Sequence, residues 1–267
     1  MQIFDSAVVR LWAKVVLGVF VVAAVGVFGW QLLPNREPSY QGKTLTTWFG
    51  DGPNPNNELY EALRLAGTNA YPVLLRMLRK EDLPGVLELV ALAQKQWFFP
   101  VHYVPATIRH SQAVYGIGAL GEHSKDLLPG LIEIYDSKGS GSSQSAVAKI
   151  FAGIGPDAET ALPSLLRGLN TTNEVVLANT IYAILRVNMA CPKADQVVPA
   201  LTKFLHNASP VVRAKAAAAI GFFGPEAKAA VCHLLPLVYD PDTEVMAYAI
   251  QALKRIDPEV AAELGVD

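Results

Sequence analysis

Apolar residues follow two different rules along this chain. From Val15 to Leu33 they form one unbroken run, VVLGVFVVAAVGVFGWQLL, in which Gln31 is the single polar side chain. From about residue 58 onward they recur every three or four positions, in stretches separated by Gly, Pro, Asn and Asp. That is the pattern of amphipathic helices that bury one face.

The first rule predicts a helix solvated by lipid. Nineteen residues at ~1.5 Å each cover roughly 28 Å, close to a hydrocarbon thickness of about 30 Å. Arg10 and Lys14 precede the run, Trp30 sits near its far end, and Pro34 stops it. A cleaved signal peptide is the rival reading, but its apolar core is usually ~7–15 residues. Ala23-Ala24-Val25-Gly26 also makes a poor cleavage site, because apolar residues continue past it. The expectation is a tail at 1–14, a single uncleaved anchor at 15–33 and a linker at 34–57. Arg10 and Lys14 before the span balance Arg36 and Lys43 after it, so the positive-inside rule is nearly tied. The closeness of Lys14 to the apolar run favours a cytoplasmic N-terminus. The C-terminal domain would then lie outside, in the periplasm of an inner-membrane protein; a cytoplasmic domain is the alternative.

The second rule hides an internal period. Gly121-EHSKDLLPGLI, Gly155-PDAETALPSLL, Cys191-PKADQVVPALT and Gly224-PEAKAAVCHLL align, with starts 34, 36 and 33 residues apart, and a truncated fifth copy begins 33 residues on at Asp257. Each copy reads as two helices. Helix A opens near a Pro (Pro129, Pro163, Pro199; Cys232 holds that position in the fourth copy), since the first turn tolerates a missing N–H. A turn carrying Asp136, Asn170, Asn207 or Asp240 follows, and then helix B, which typically ends at Gly. An atypical earlier copy starts at Gly67. It is about 20 residues longer than the others, and the extra material is placed around Trp97–Pro105. Glu58 to Ala66 reads as a capping helix, and 58–267 as one solenoid with an aromatic insertion at about 97–107.

The words VVRAKAAAAIGFFGPEA at 211–227 and AVAKIFAGIGPDA at 146–158 resemble a HEAT-repeat array, of the short bacterial kind also called bilin-lyase-type. The resemblance covers roughly residues 58–264. It implies an all-α, armadillo-like, right-handed α-solenoid of about five HEAT-like helix pairs, here preceded by one N-terminal transmembrane helix. It also implies a protein-binding role. The segment Glu37–Trp48 resembles, more weakly, the lead-in of membrane-tethered bacterial HEAT proteins. There is one departure. HEAT units often pair a turn Asp with an Arg early in helix B. Only Arg213 matches that Arg, and its own turn residue is Asn207, so no Asp–Arg ladder is expected.

Composition narrows the function. The chain is 51% hydrophobic and only 17% charged, with a net charge of −2. The first 36 residues hold three basic and one acidic side chain, so the remainder carries −4. A phosphate-backbone partner would want the opposite sign, so nucleic acid is not expected. No CxxC, HExxH, GxSxG or phosphate loop occurs. Gly139-Ser140-Gly141-Ser142-Ser143 falls where the other A–B turns fall and reads as one of them. The histidines are scattered over different repeats. His102 and His110 are eight apart but lack further ligands, so no metal is expected. Cys191 and Cys232 occupy different repeat positions on stacked units ~10 Å apart, against the ~7 Å limit for a disulfide, and read as two unpaired thiols.

The remaining reading is a tethered scaffold or adapter that binds another protein through its surface, without catalysis, cofactor or small-molecule substrate. A lyase- or chaperone-like action on a protein partner, or a purely structural envelope role, is the alternative. Two residue groups are candidates for contact. Trp97, Phe98, Phe99, His102 and Tyr103 sit in the Pro-stiffened insertion, as a recognition patch or as a lid over the first repeats. Lys149, Asn179, Arg213, Lys215 and Tyr248 are polar positions on the B helices, which line the inner face of such solenoids.

Overall fold

The computed structural model describes residue 37 and residues 39–50, 57–95, 103–137 and 139–265. The tail, the anchor at 15–33 and most of the linker lie outside the described residues. Among the described residues no helix is long and apolar enough to cross a membrane.

A small antiparallel hairpin opens the folded unit. Strand β1 (Ser39–Tyr40) pairs with β2 (Lys43–Thr44), and helix α1 (Leu45–Phe49) follows directly. Gln41 and Gly42 at the tip have positive φ. The Trp48 indole N–H donates to the Tyr40 carbonyl at 3.1 Å and Lys43 lies over its ring, so the lead-in is an ordered element.

Helix α2 (Asn57–Ala66) caps the array. Five A–B pairs follow. They are α3 (Tyr71–Arg79) with α5 (Ala106–Ala119), α6 (Leu128–Asp136) with α7 (Gly141–Ile154), α8 (Leu162–Gly168) with α9 (Glu174–Val187), α10 (Ala194–Thr202) with α11 (Pro210–Phe222), and α12 (Val231–Leu234) with α13 (Thr243–Ile256). Helix α14 (Pro258–Glu263) closes the end. The B helices stack in chain order, α5 on α7 on α9 on α11 on α13. One apolar core runs through them without a break, from Leu45 to Ala261.

Small side chains set how closely the B helices approach. Ala214, Ala216, Ala217 and Ala219 are all buried on α11. A Cβ on Gly221 would lie 2.7 Å from both Cα and Cβ of Ala252, so α11 and α13 touch backbone to backbone. Larger residues fill the middle of the array: Tyr135 meets Phe151 edge-on at 5.9 Å, and its hydroxyl bonds Thr180 at 2.6 Å.

Four observations refine or correct these expectations. First, the stretch between helix B and helix A is itself helical. Seven-residue 3-10 segments, Gly121–Leu127, Gly155–Ala161 and Gly224–Ala230, join them. Each starts at a glycine with φ between 55° and 69°, so the αL stop is where the sequence puts it. Second, Pro129 and Pro163 open their helices but Pro199 lies inside α10. Third, the B-helix caps sit two to four residues beyond the expected turn residues. Ser140, Asn173 and Asp242 accept the N-terminal N–H groups, while Asn207 and Asp240 each accept from the N–H two residues on. Fourth, the extra length of the first unit includes a helix, α4 (Val86–Gln94), which has no buried side chain. Its period is apolar all round, and Leu87, Leu89 and Leu92 stand exposed, Leu89 at 66%.

Candidate functional site

A helix that stacks on a B neighbour at each side and on its own A helix has one face left for solvent. On α9 that face carries Val175, Asn179, Tyr182 and Arg186, with Met189 just past its end; on α11 Val211, Lys215, Ala218 and Phe222; on α13 Glu244, Tyr248, Gln251 and Arg255. The steps are four, three and four residues in every case, the repeat of one helical stripe. On α5 and α7 the equivalent stripes are Thr107, Ser111, Val114 and Gly118, and Ser142, Ser145, Lys149 and Gly153. The surface therefore changes character along the array. Its N-terminal half is small and hydroxyl-bearing, and its C-terminal half is aromatic and cationic.

Three clefts open along this face. Two lie between α5 and α7, about 340 and 410 Å³ in volume, and Lys149 lines both. The third, about 320 Å³, lies across α9, α11 and α13, with Tyr182, Arg186, Lys215, Phe222, Tyr248 and Arg255 in its lining. The Lys215 ammonium sits 5.2 Å from the centre of the Tyr182 ring. Arg186 Nε donates to the Ala152 carbonyl at 3.3 Å, which aims the rest of the guanidinium at the cleft. Tyr182 and Met189 are 43% and 47% exposed, apolar surface that nothing in the described chain covers.

The B-helix residues expected from sequence divide by what they touch. Lys149, Lys215 and Tyr248 line the clefts. Asn179 spends its amide on Ser145 Oγ at 2.7 Å, tying α9 to α7. Arg213 faces away from the clefts. It donates to both carboxylate oxygens of Asp240 at 2.8 Å and to the carbonyls of Asn207 and Ala208. The Asp–Arg contact thus exists, but it reaches forward to the next repeat's turn instead of closing within its own. Similar contacts between successive units join Arg167 to Asp136 and Arg79 to Glu133.

In the insertion, Trp97, Phe98, Phe99 and His102 lie outside the described residues. Tyr103 donates to Asp82 Oδ1 at 2.5 Å, and the same carboxylate accepts from the Ala106 N–H. Burial and the Asp82 carboxylate push the Tyr103 phenol up to about 12. This clasp closes the ends of the inserted segment. His110 is buried beside it at 2% exposure, with Nε2 on the Lys80 carbonyl at 2.8 Å and Nδ1 without a partner. Desolvation lowers its pKa.

Arg186, Tyr182, Met189, Phe222 and Arg255 were passed over in the sequence. Extending the repeat alignment to the stripe three residues off the apolar one would have found them, because Arg186, Phe222 and Arg255 sit at the same height on their helices. A second pairing was also missed. His206 and His233, from consecutive repeats, bond ring to ring at 3.2 Å. Among the described residues no group of three or more His, Cys, Asp or Glu side chains is placed to hold a metal ion. Cys191 and Cys232 are both free and exposed.

The pattern of HEAT repeats matches residues 198–264. Comparison with the curated proteins finds no match. Among solved structures, an engineered protein from a structural genomics consortium superposes with a TM-score of 0.56 at 18% identity, covering 80% of this chain and 89% of its own. A designed armadillo repeat protein in complex with the peptide (KR)4 superposes with a TM-score of 0.55 at 20% identity, covering 80% of this chain and 90% of its own. At such identities the likeness speaks for the fold alone. The described chain is a helical solenoid similar in fold to armadillo-type repeat proteins, and residues 198–264 match the pattern of HEAT repeats.

Proposed function

We propose that this chain is a membrane-tethered, non-catalytic scaffold that binds another protein across the exposed stripes of its B helices. The observation that carries the reading is the cleft-bearing face on α5 to α13, where Tyr182 and Met189 stand exposed and Arg186 and Arg255 line a cleft without a carboxylate partner among the described residues. Aromatic and Arg side chains in partly desolvated hollows are the groups that dominate interface energetics. The peptide held by the designed armadillo neighbour is consistent with a peptide-sized partner, as an analogy of fold. The tether is the apolar run Val15–Leu33, with the solenoid on the outer side of the inner membrane.

A pull-down with the full chain in detergent tests the binding. The wild type should recover a specific partner, and Lys149→Glu with Tyr248→Ala should lose it while circular dichroism stays unchanged. Recovery that survives both changes would move the site elsewhere. Bound pigment with visible absorbance, and no protein partner, would favour the lyase-like alternative. For the tether, the chain should resist carbonate extraction from membranes, and a C-terminal reporter should be active on the periplasmic side.

A further inference from the structure

The three clefts share one face but not one chemistry. In the C-terminal cleft three cations, Arg186, Lys215 and Arg255, meet a single acid, Glu244. None of the three cations forms an ion pair among the described residues. This local excess is opposite in sign to the rest of the solenoid, where acids outnumber bases. Elsewhere on the solenoid, Arg213, Arg167, Arg79, Lys193 and Lys228 each hold a carboxylate. Three unpaired cations on one patch repel one another, an arrangement that is relieved when an anion binds.

Between these charges lie Tyr182, Phe222 and Tyr248, with Met189 at the edge. The patch is thus cationic at its borders and apolar within. We propose that this cleft takes an acidic, extended segment of a partner protein. Its carboxylates would pair with Arg186 and Arg255, and one aromatic or aliphatic side chain would sit between Tyr182, Phe222 and Tyr248. The proposal rests on the protein-binding reading given above and specifies its ligand.

Geometry sets the length of that segment. Arg186 and Arg255 stand at the same height on helices two places apart, on the order of 18–20 Å at usual helix spacings. An extended chain rises about 3.3 Å per residue, so about six residues join the two guanidiniums. Each Arg can take a carboxylate through two parallel N–H donors, which a Lys cannot. Lys215 lies between them as a point charge with its stem against Tyr182. A single-stranded nucleic acid would also present anions and stacking faces, but the solenoid around the cleft is acidic overall, which opposes a phosphate backbone running beyond it.

The test uses the full chain in detergent micelles and three fluorescein-labelled hexapeptides: acidic EDLFDE, its amide twin QNLFNQ and basic KRLFKR. Fluorescence anisotropy should show EDLFDE binding at least tenfold tighter than QNLFNQ, weakening as salt rises from 50 to 200 mM, and KRLFKR not binding. Arg186→Glu with Arg255→Glu should abolish the preference, and Arg255→Glu alone should reduce it, which guards against a fold defect from the lost Ala152 contact. Lys203→Glu, the same charge change on an exposed residue outside the cleft, should leave it intact. Equal binding of EDLFDE and QNLFNQ, no binding of EDLFDE, or an effect of Lys203→Glu as large as that of Arg255→Glu would overturn the acidic-segment assignment. So would tighter binding of a labelled dT12 oligonucleotide. If the acidic peptide fails while the pull-down partner is still lost in Lys149→Glu with Tyr248→Ala, the scaffold reading stands and only the ligand class falls.

Discussion

Arg213 clasps Asp240 of the following repeat through two hydrogen bonds of 2.8 Å, with the carboxylate only 5% exposed. The same guanidinium holds the carbonyls of Asn207 and Ala208, so one side chain joins two successive A–B turns. The guanidinium holds the Asp240 carboxyl below the usual carboxylate range.

Removing that clasp should therefore cost stability without touching binding. Arg213→Ala leaves a buried carboxylate without its main partner and is expected to cost about 2–3 kcal/mol in urea unfolding. Asp240→Asn should cost less, because the amide can still accept one bond. The folded pKa of Asp240 is depressed, so its contribution is present above 3.8 and lost as pH falls through the lower folded value. The stability difference between wild type and Asp240→Asn should shrink in acid. An undiminished difference at pH 3 would contradict the assignment.

His110 makes the opposite kind of demand. It is buried neutral, its Nε2–H donating to the Lys80 carbonyl, and burial lowers its pKa from 6.5. The unfolded chain then binds a proton more readily than the folded one, so the stability of the neutral form is complete above 6.5 and is lost as pH falls toward the lowered value. His110→Gln should flatten the dependence of urea midpoint on pH between about 7 and 5. A wild-type midpoint independent of pH in that window would refute the role.

Gly221 tests how closely the B helices must approach. Glycine to alanine within a helix ordinarily gains up to about 1 kcal/mol in propensity. Here the new methyl would meet the Ala252 backbone at 2.7 Å. Gly221→Ala is expected to destabilise by about 1–3 kcal/mol, the range for overpacked sites. By contrast, Gly153→Ala meets nothing within 4 Å and should be neutral or stabilising. Thermal unfolding of the two variants side by side gives the answer.

Asn188 stands at the end of α9, one of the B helices that lack a glycine stop. Its side chain is 1% exposed, donating to the Ile184 carbonyl at 2.8 Å and accepting from the Lys193 N–H at 3.2 Å. Asn188→Ala should cost about 1–3 kcal/mol, since it orphans the Lys193 N–H and leaves the Ile184 carbonyl with only the Asn188 backbone N–H. Asn188→Asp, which keeps only the acceptor, should recover part of that. Equal stability of all three proteins would show that the turn holds itself.

These positions mark how far the sequence could be read. The αL glycines 121, 155 and 224 were legible because only glycine takes that backbone cheaply. Asn188 was not, since an Asn signals its role only through groups that folding brings to it. The short helix α12 and the interior Pro199 were hidden for a related reason. Packing against a neighbour decides where an α turn gives way to a 3-10 turn, and periodicity barely distinguishes the two. Helix α4 is the reverse case: its all-round apolar run has no period for a reader to find.

For the candidate site, the sequence named Lys149, Lys215 and Tyr248 as polar breaks in the B-helix pattern. It could not separate them from Arg213, which has the same pattern but turns inward to Asp240. Nor did it single out Arg186 and Arg255, because a cation near a helix C-terminus is ordinary until its neighbours are known.

By itself, then, the sequence determined the period, the A–B alternation, the αL stops and the apolar run at 15–33, because each rests on local backbone chemistry or on solvent matching. Which cations are paired and which are left facing a cleft was decided only by the stacking of repeats. Partners 27 to 54 residues apart, such as Arg213 with Asp240 and Arg79 with Glu133, meet through packing that no local pattern encodes.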